Sequence, residues 1–258
     1  MHEYTSSETK ARLAISLMDL TCLNEDDSEQ DIRTLCARAS GPIASVAAVC
    51  VSPRFVSLAR SLLPQAIGVA TVVNFPCGNA DAALAVAETR AVIEAGAHEI
   101  DVVLPYHAMR EGRLEDVRHF LGSVRDACPE RVLKIILETG ELEHPELIAR
   151  ASDLSIDAGA NFLKTSTGKT PVSATPAASC VMLHRIAARG DAGGQVGFKA
   201  SGGVRTLDDA AVYLALQAEI LGKDSLTPKR FRIGASSLLD NLEAAVGHGA
   251  VIIDSTGY

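Results

Sequence analysis

Eight short apolar runs recur along the chain, and after each the apolar positions return at helical spacing. The runs are SLMDL (16–20), SVAAVCV (45–51), IGVATVVNF (67–75), HEIDVVL (98–104), VLKIILE (132–138), NFLKTS (161–166), QVGFKA (195–200) and FRIGAS (231–236). They are rich in Val and Ile and most are too short to be helices, so they read as buried strands. Amphipathic segments lie at about 28–39, 54–63, 80–95, 112–127, 145–158, 175–189, 206–219 and 236–246, and a short helix at about 7–14 precedes the first run. Start and stop signals sit at their ends. Asn79 and Asp81 precede AALAVAETRAVIEAG, Thr175-Pro176 puts Pro at a first helical position, and Thr206 is followed by two acids. Gly96, Gly159 and Gly190 fall where helices should stop.

Strands alternating with helices imply a parallel sheet. Eight units in 258 residues favour a closed (β/α)8 TIM barrel, for which about 250 residues is usual. An open doubly wound sheet with fewer strands is the structural alternative. No low-complexity linker or charge block marks a boundary, so residues 1–258 are expected to form one domain, ending in a short flexible tail at about 248–258.

Composition narrows the picture. Hydrophobic residues make up 47% of the chain, aromatics only 4%, and Trp is absent, so the core must be aliphatic. A net charge of −8 argues against a nucleic-acid surface, which needs Lys and Arg to neutralise phosphates, but leaves room for a local site for a small anion. The six cysteines form no C-x-x-C pair and several lie in apolar runs, which reads as reduced, buried thiols of a cytoplasmic protein. The N-terminal MHEYTSSETKARLAI has no apolar signal core. The longest uncharged stretch, Ser61 to Ala80, is broken by Pro64, Gln65, Gly68, Asn74 and Pro76 and is no membrane span. No Cys/His cluster has metal-site spacing, and neither metal nor cofactor is expected.

In a parallel barrel the chemistry belongs at the C-terminal ends of the strands. Asp19, Cys50, Asp101, Lys164 and Lys199 all lie at or near the ends of predicted strands. Taken singly, each has an ordinary reading: a rim lysine in water, an aspartate in a cap or ion pair, a packing cysteine. Together they suggest more. Two lysines on neighbouring strands disfavour double protonation, which makes one amine a nucleophile near neutral pH. Asp101 would offset the remaining positive charge and move protons. Lys134, in mid-strand, reads as a paired interior residue. A second set is rich in glycine and serine: Thr165-Ser166-Thr167-Gly168-Lys169, Ser201-Gly202-Gly203-Val204-Arg205 and Gly234-Ala235-Ser236-Ser237. Three such loops after the last three strands make the usual phosphate site of a barrel. Lys169 and Arg205 either add charge there or face solvent.

The segments LMDLTCLNEDD (17–27), AAVCVSPRF (47–55), EIDVVLPY (99–106), ILETGEL (136–142), FLKTSTGK (162–169), GFKASGGVRT (197–206) and FRIGASSLL (231–239) together resemble the deoxyribose-phosphate aldolase family, in order and across nearly the whole chain. The resemblance implies that Lys164 forms a Schiff base, that Asp101 and Lys199 relay protons, and that Asp19 helps to place the substrate. Cys50 matches an active-site cysteine. Thr167, Gly168, Lys169, Gly202, Gly203, Gly234, Ser236 and Ser237 match the phosphate cradle, and Tyr258 matches a C-terminal tyrosine that assists proton transfer in some members. The implied reaction is reversible cleavage of 2-deoxy-D-ribose 5-phosphate to D-glyceraldehyde 3-phosphate and acetaldehyde, in deoxyribonucleotide catabolism. The chain departs from the family at Ala200, where proline is common, and in an apolar tail, GHGAVIIDSTG, before Tyr258. Small phosphosugar and aldehyde substrates are expected, with no nucleic-acid or membrane partner, on a monomer or homodimer. Two rival readings use the same loops: another phosphosugar enzyme, and a sugar-phosphate-binding barrel without catalysis.

Overall fold

The computed structural model describes residues 6–190 and 196–247. Helix α1 (Ser7–Ser16) leads into β1 (Met18–Cys22), α2 (Glu29–Arg38), β2 (Ala48–Val51), α3 (Val56–Leu62), β3 (Gly68–Val73), α4 (Ala82–Glu94) and β4 (Glu99–Val103). Next come α5 (Tyr106–Arg110), α6 (Leu114–Ala127), β5 (Val132–Ile136), α7 (Thr139–Leu142), α8 (Pro145–Asp157) and β6 (Phe162–Lys164). The chain continues through α9 (Pro176–Ala188), β7 (Gly197–Ser201), α10 (Leu207–Leu221), β8 (Phe231–Ala235) and α11 (Leu238–Gly247). The strands are parallel and pair in chain order, and β8 closes on β1, so the sheet is a barrel and not an open one.

The helix starts follow local chemistry. The side chains of Asp81 and Thr175 accept from the N–H groups of Leu84 and Ala178. Ser28 with Asp31 and Thr206 with Asp209 form full capping boxes. Gly96, Gly159 and Gly190 follow α4, α8 and α9 with φ of 103°, 85° and 53°. Two short helices, α5 and α7, were not expected from the pattern. The first strand also starts later than its apolar run, because Ser16 completes α1 and the Leu17 N–H still donates to the carbonyls of Leu13 and Ala14.

Alternation along the strands divides the interior. Val102, Ile135, Leu163 and Ile233 join an aliphatic core shared with the helices. Ala48, Cys50, Ala70 and Val72 form a separate apolar patch on β2 and β3. Among the residues that alternate with the outer set on the remaining strands, Asp19, Glu99, Asp101, Lys134, Lys164, Lys199 and Arg232 are charged. All six cysteines are free; Cys36, Cys50 and Cys128 are buried, but Cys22 and Cys180 are only half-buried and Cys77 is exposed. The reading of buried thiols therefore holds for part of the set. Among the described residues no helix is long and apolar enough to cross a membrane.

Candidate active site

Four cations and three carboxylates meet inside the barrel. Asp19 comes from β1, Glu99 and Asp101 from β4, and Lys134, Lys164, Lys199 and Arg232 from β5, β6, β7 and β8 in turn. Lys164 is 2% exposed, and Asp19, Asp101, Lys134 and Lys199 are fully buried. Asp101 Oδ2 accepts from Lys164 Nζ and Lys199 Nζ, each at 2.8 Å. Asp19 Oδ2 accepts from Lys199 Nζ at 2.5 Å and Lys134 Nζ at 2.8 Å, while its Oδ1 accepts from Arg232 at 2.5 Å. Glu99 pairs with Lys134 at 2.6 Å and with Arg232 at 2.9 Å. Asp101 Oδ1 lies 2.9 Å from Lys134 Nζ, an ion pair without hydrogen-bond geometry, and this buried oxygen accepts no hydrogen bond among the described residues.

The register explains how these groups reach one another. Asp101 lies beside Lys134, Lys164 beside Lys199, and Lys199 beside Arg232 on adjacent strands. Gly234 stands next to Asp19 on β8. A Cβ at 234 would come within 2.9 Å of Lys199 Cε and 2.8 Å of Ser201 Oγ. The missing side chain is what lets Lys199 cross the barrel to Asp19.

Charge then sorts the lysines. Burial lowers the affinity of every ammonium for its proton. At Lys134 the surrounding Asp101, Asp19 and Glu99 overcome burial and hold the ammonium well above its ordinary range. Asp101 and Asp19 do the same for Lys199. Lys164 has Asp101 as its one ion-pair partner among the described residues, and burial wins: its amine is held below the ordinary lysine value, with the Lys199 charge adding to the effect. The paired-lysine argument thus has the right direction, but burial is the larger cause. Asp19 and Asp101 lie below the usual carboxylate range, because burial is outweighed by the lysines and, at Asp19, by Arg232 as well. Cys50 is buried in the same interior, and burial together with Asp101 pushes its thiol up.

At the mouth lies a cavity of about 230 Å³. Its walls are Thr167-Gly168-Lys169 after β6, Ser201 to Arg205 after β7, Gly234 to Ser237 after β8, and Thr21, Leu23 and Asn24 from the end of β1. Among the described residues, the backbone N–H groups of Gly168, Gly202, Gly203, Ser236 and Ser237 donate to no protein acceptor. Helix α11 starts directly after Ser237, so its positive end adjoins the same space. Free N–H groups, hydroxyls and a helix start are the parts from which anion sites are built. Lys169 and Arg205 line the cavity and are exposed at its rim.

A family model for DeoC/LacD family aldolases matches residues 13–244. The chain is an aldolase of this family. Solved structures agree with the match. A Toxoplasma gondii ME49 protein with 22% identity superposes with a TM-score of 0.86 over 95% of this chain and 97% of its own, which shows a shared fold. A Coccidioides immitis protein, provisionally described as a deoxyribose-phosphate aldolase, has 29% identity and a TM-score of 0.80 over 91% of this chain and 86% of its own. The tetrameric deoxyribose phosphate aldolase of Aeropyrum pernix has 27% identity and a TM-score of 0.72 over 97% and 95%.

The aldolase brings Lys164, Asp101, Lys199 and Asp19 into one network, and Lys134 is the paired interior residue its mid-strand position suggested. Tyr258 and the tail from 248 lie outside the described residues. Three residues escaped sequence reading. Glu99 and Arg232 stand two positions before Asp101 and Gly234, on the same strand face, and that spacing was the available signal. Glu138 follows β5 and is buried; burial raises its carboxyl, and hydrogen bonds from Thr167 and Thr170 oppose the rise.

Proposed function

We propose that this aldolase reversibly cleaves 2-deoxy-D-ribose 5-phosphate to D-glyceraldehyde 3-phosphate and acetaldehyde through a Schiff base on Lys164. The observation that carries the reading is the excess of one cation in a water-poor network whose least compensated member is Lys164. Barrel interiors are ordinarily filled by Val, Ile and Leu, and burying seven charged groups instead costs desolvation that an aliphatic filling would avoid. An amine with a weakened hold on its proton, set over a ready carboxylate, is a reason to bear that cost.

The phosphate of the open-chain sugar occupies the cavity of free N–H groups. The neutral Lys164 amine attacks the aldehyde carbon, water leaves, and an iminium forms. Asp101 takes the proton of the C3 hydroxyl through water. The C2–C3 bond breaks, its electron pair moves toward the iminium, and D-glyceraldehyde 3-phosphate departs. The remaining enamine takes a proton at C2, a step given to Tyr258, and hydrolysis releases acetaldehyde and the free amine. Lys199 steadies Asp101 and passes protons, Asp19 holds Lys199, and Cys50 borders the aldehyde end. The enzyme is proposed to act in the cytoplasm as a monomer or homodimer; light scattering after gel filtration tests the latter, and a tetramer would replace it.

The decisive experiment is to incubate the protein with acetaldehyde, reduce with borohydride, and map the product by mass spectrometry. An ethyl group on Lys164, and the loss of both adduct and turnover in Lys164→Ala, are expected. An adduct at another lysine, or substantial turnover in the variant, would remove the assignment.

A further inference from the structure

The loop after β6 does not hold its own shape. Its donors are tied to a residue on a different strand's loop, the buried Glu138 after β5. Glu138 Oε2 accepts from Thr167 Oγ1 at 2.5 Å and from the Thr167 N–H at 3.3 Å, and Oε1 accepts from Thr170 Oγ1 at 3.2 Å. Thr167 Oγ1, with its proton committed to Glu138, accepts the Lys169 N–H at 3.0 Å. The tie therefore uses the N–H groups of residues 167 and 169 and leaves that of Gly168, between them, with no protein acceptor among the described residues. Gly168 is the residue of this loop with a left-handed φ, 80°, and it lines the anion cavity.

Neighbouring contacts join the loops into one block. A Cβ at Gly140, in α7, would collide with the Val172 carbonyl, and one at Gly202 would lie 2.6 Å from Ser173. The segments after β5, β6 and β7 thus sit against one another with no slack. Glu138 itself has φ 54° and ψ 61°, a left-handed conformation uncommon for a glutamate, kept where the surroundings over-determine it. Glu138 lines no part of the cavity, so whatever it does there it does through Thr167.

We propose that Glu138 is a positioning residue for the anion cavity, acting through Thr167 and the 167–170 loop, and that it sets how strongly the aldolase prefers phosphorylated over non-phosphorylated sugars. This rests on the reading that the cavity holds the substrate's phosphate. Thr167 ties Glu138 to the far end of the substrate from Lys164; because the Glu138 carboxyl also feels the Lys164 charge, Thr170→Val, which keeps that carboxyl, is the variant that separates the two ends.

The test compares Glu138→Gln and Thr170→Val with the unaltered enzyme on 2-deoxy-D-ribose 5-phosphate and on 2-deoxy-D-ribose, which has the same carbon chain without the anion. Glutamine cannot accept the full set of bonds; valine leaves the two from Thr167 and removes the outer one, which the Thr170 hydroxyl shares with the Val172 carbonyl at 3.1 Å. For Glu138→Gln the KM for the phosphorylated sugar should rise about 10- to 100-fold with kcat little changed, since uniform binding is what is lost. Thr170→Val should move the same way by about 3-fold. Turnover of the non-phosphorylated sugar and borohydride trapping of acetaldehyde on Lys164 should stay within about 2-fold of the unaltered enzyme. Parallel loss on both sugars would assign Glu138 a purely structural role and overturn the proposal, as would unchanged KM values in both variants. If the unaltered enzyme forms no adduct on Lys164, or does not prefer the phosphorylated sugar, the underlying reading fails, and this proposal with it.

Discussion

At the scale of the residue, the informative quantity is the balance of charge around one amine. Lys164 faces Asp101 directly, with Lys199, Lys134 and Cys50 close by, Asp19, Glu99 and Arg232 one contact further, and Glu138 in the loop above. Arg232 never touches Lys164, yet its charge satisfies Asp19 and Glu99 and so leaves less carboxylate for the lysines. The neutral amine is the reactive form, so kcat/KM should fall on the acid side as Lys164 takes up a proton. Arg232→Gln removes one positive charge from the network, which makes the protonated Lys164 easier to hold. The acid limb of the pH–rate profile should then move up by about one pH unit. Arg232→Lys, which keeps the charge, should leave the limb where it was. A profile that is identical in the glutamine variant would show that Arg232 has no part in the balance.

At the scale of the element, β and α segments were readable because their signals are local. Strands covered on both faces appear as nearly continuous apolar runs, and caps such as Thr206 with Asp209 announce themselves within four residues. Thr206→Ala removes the side-chain half of the capping box, the bond from the Asp209 N–H, while the Thr206 N–H can still donate to Asp209; it should lower stability by about 1 kcal/mol in urea unfolding without altering the slope. Helices α5 and α7, five and four residues long, are too short to express a 3.6-residue period, and they went unread for that reason. Part of the interior network was readable as well, because Asp101 and Lys199 interrupt apolar strands, whereas Glu99 and Arg232 were passed over. Its wiring was not. Lys199 meets Asp19 across 180 positions of sequence and Arg232 meets the same aspartate across 213, and no periodicity says which lysine faces which carboxylate.

At the scale of the whole molecule, the interior network ties stability to pH. Asp19 and Asp101 have folded-state values well below the unfolded one of about 3.9, so their contribution is complete above that value and is lost as pH falls toward the folded values. Asp19→Asn strips Lys134, Lys199 and Arg232 of a shared partner and should cost about 3–5 kcal/mol at pH 7. Its urea midpoint should also fall less steeply than that of the unaltered protein between pH about 5 and 3, because one of the protonating groups is gone. The arrangement of these charges along the chain has a further effect, on folding. Asp19, Glu99 and Asp101 all belong to β1 and β4, whereas Lys134, Lys164, Lys199 and Arg232 all belong to β5 through β8. Cut at Gly112, in the exposed turn between α5 and α6, the chain becomes two four-stranded fragments, one with a wholly negative interior set and one with a wholly positive set. Neither can close a dry interior over uncompensated like charges. Each should be unfolded alone by circular dichroism, and mixing them should restore aldolase turnover, faster at low salt than at high. A fragment that folds by itself would refute this. The two halves of this barrel are counter-ions of each other, and each is expected to fold only when the other is present.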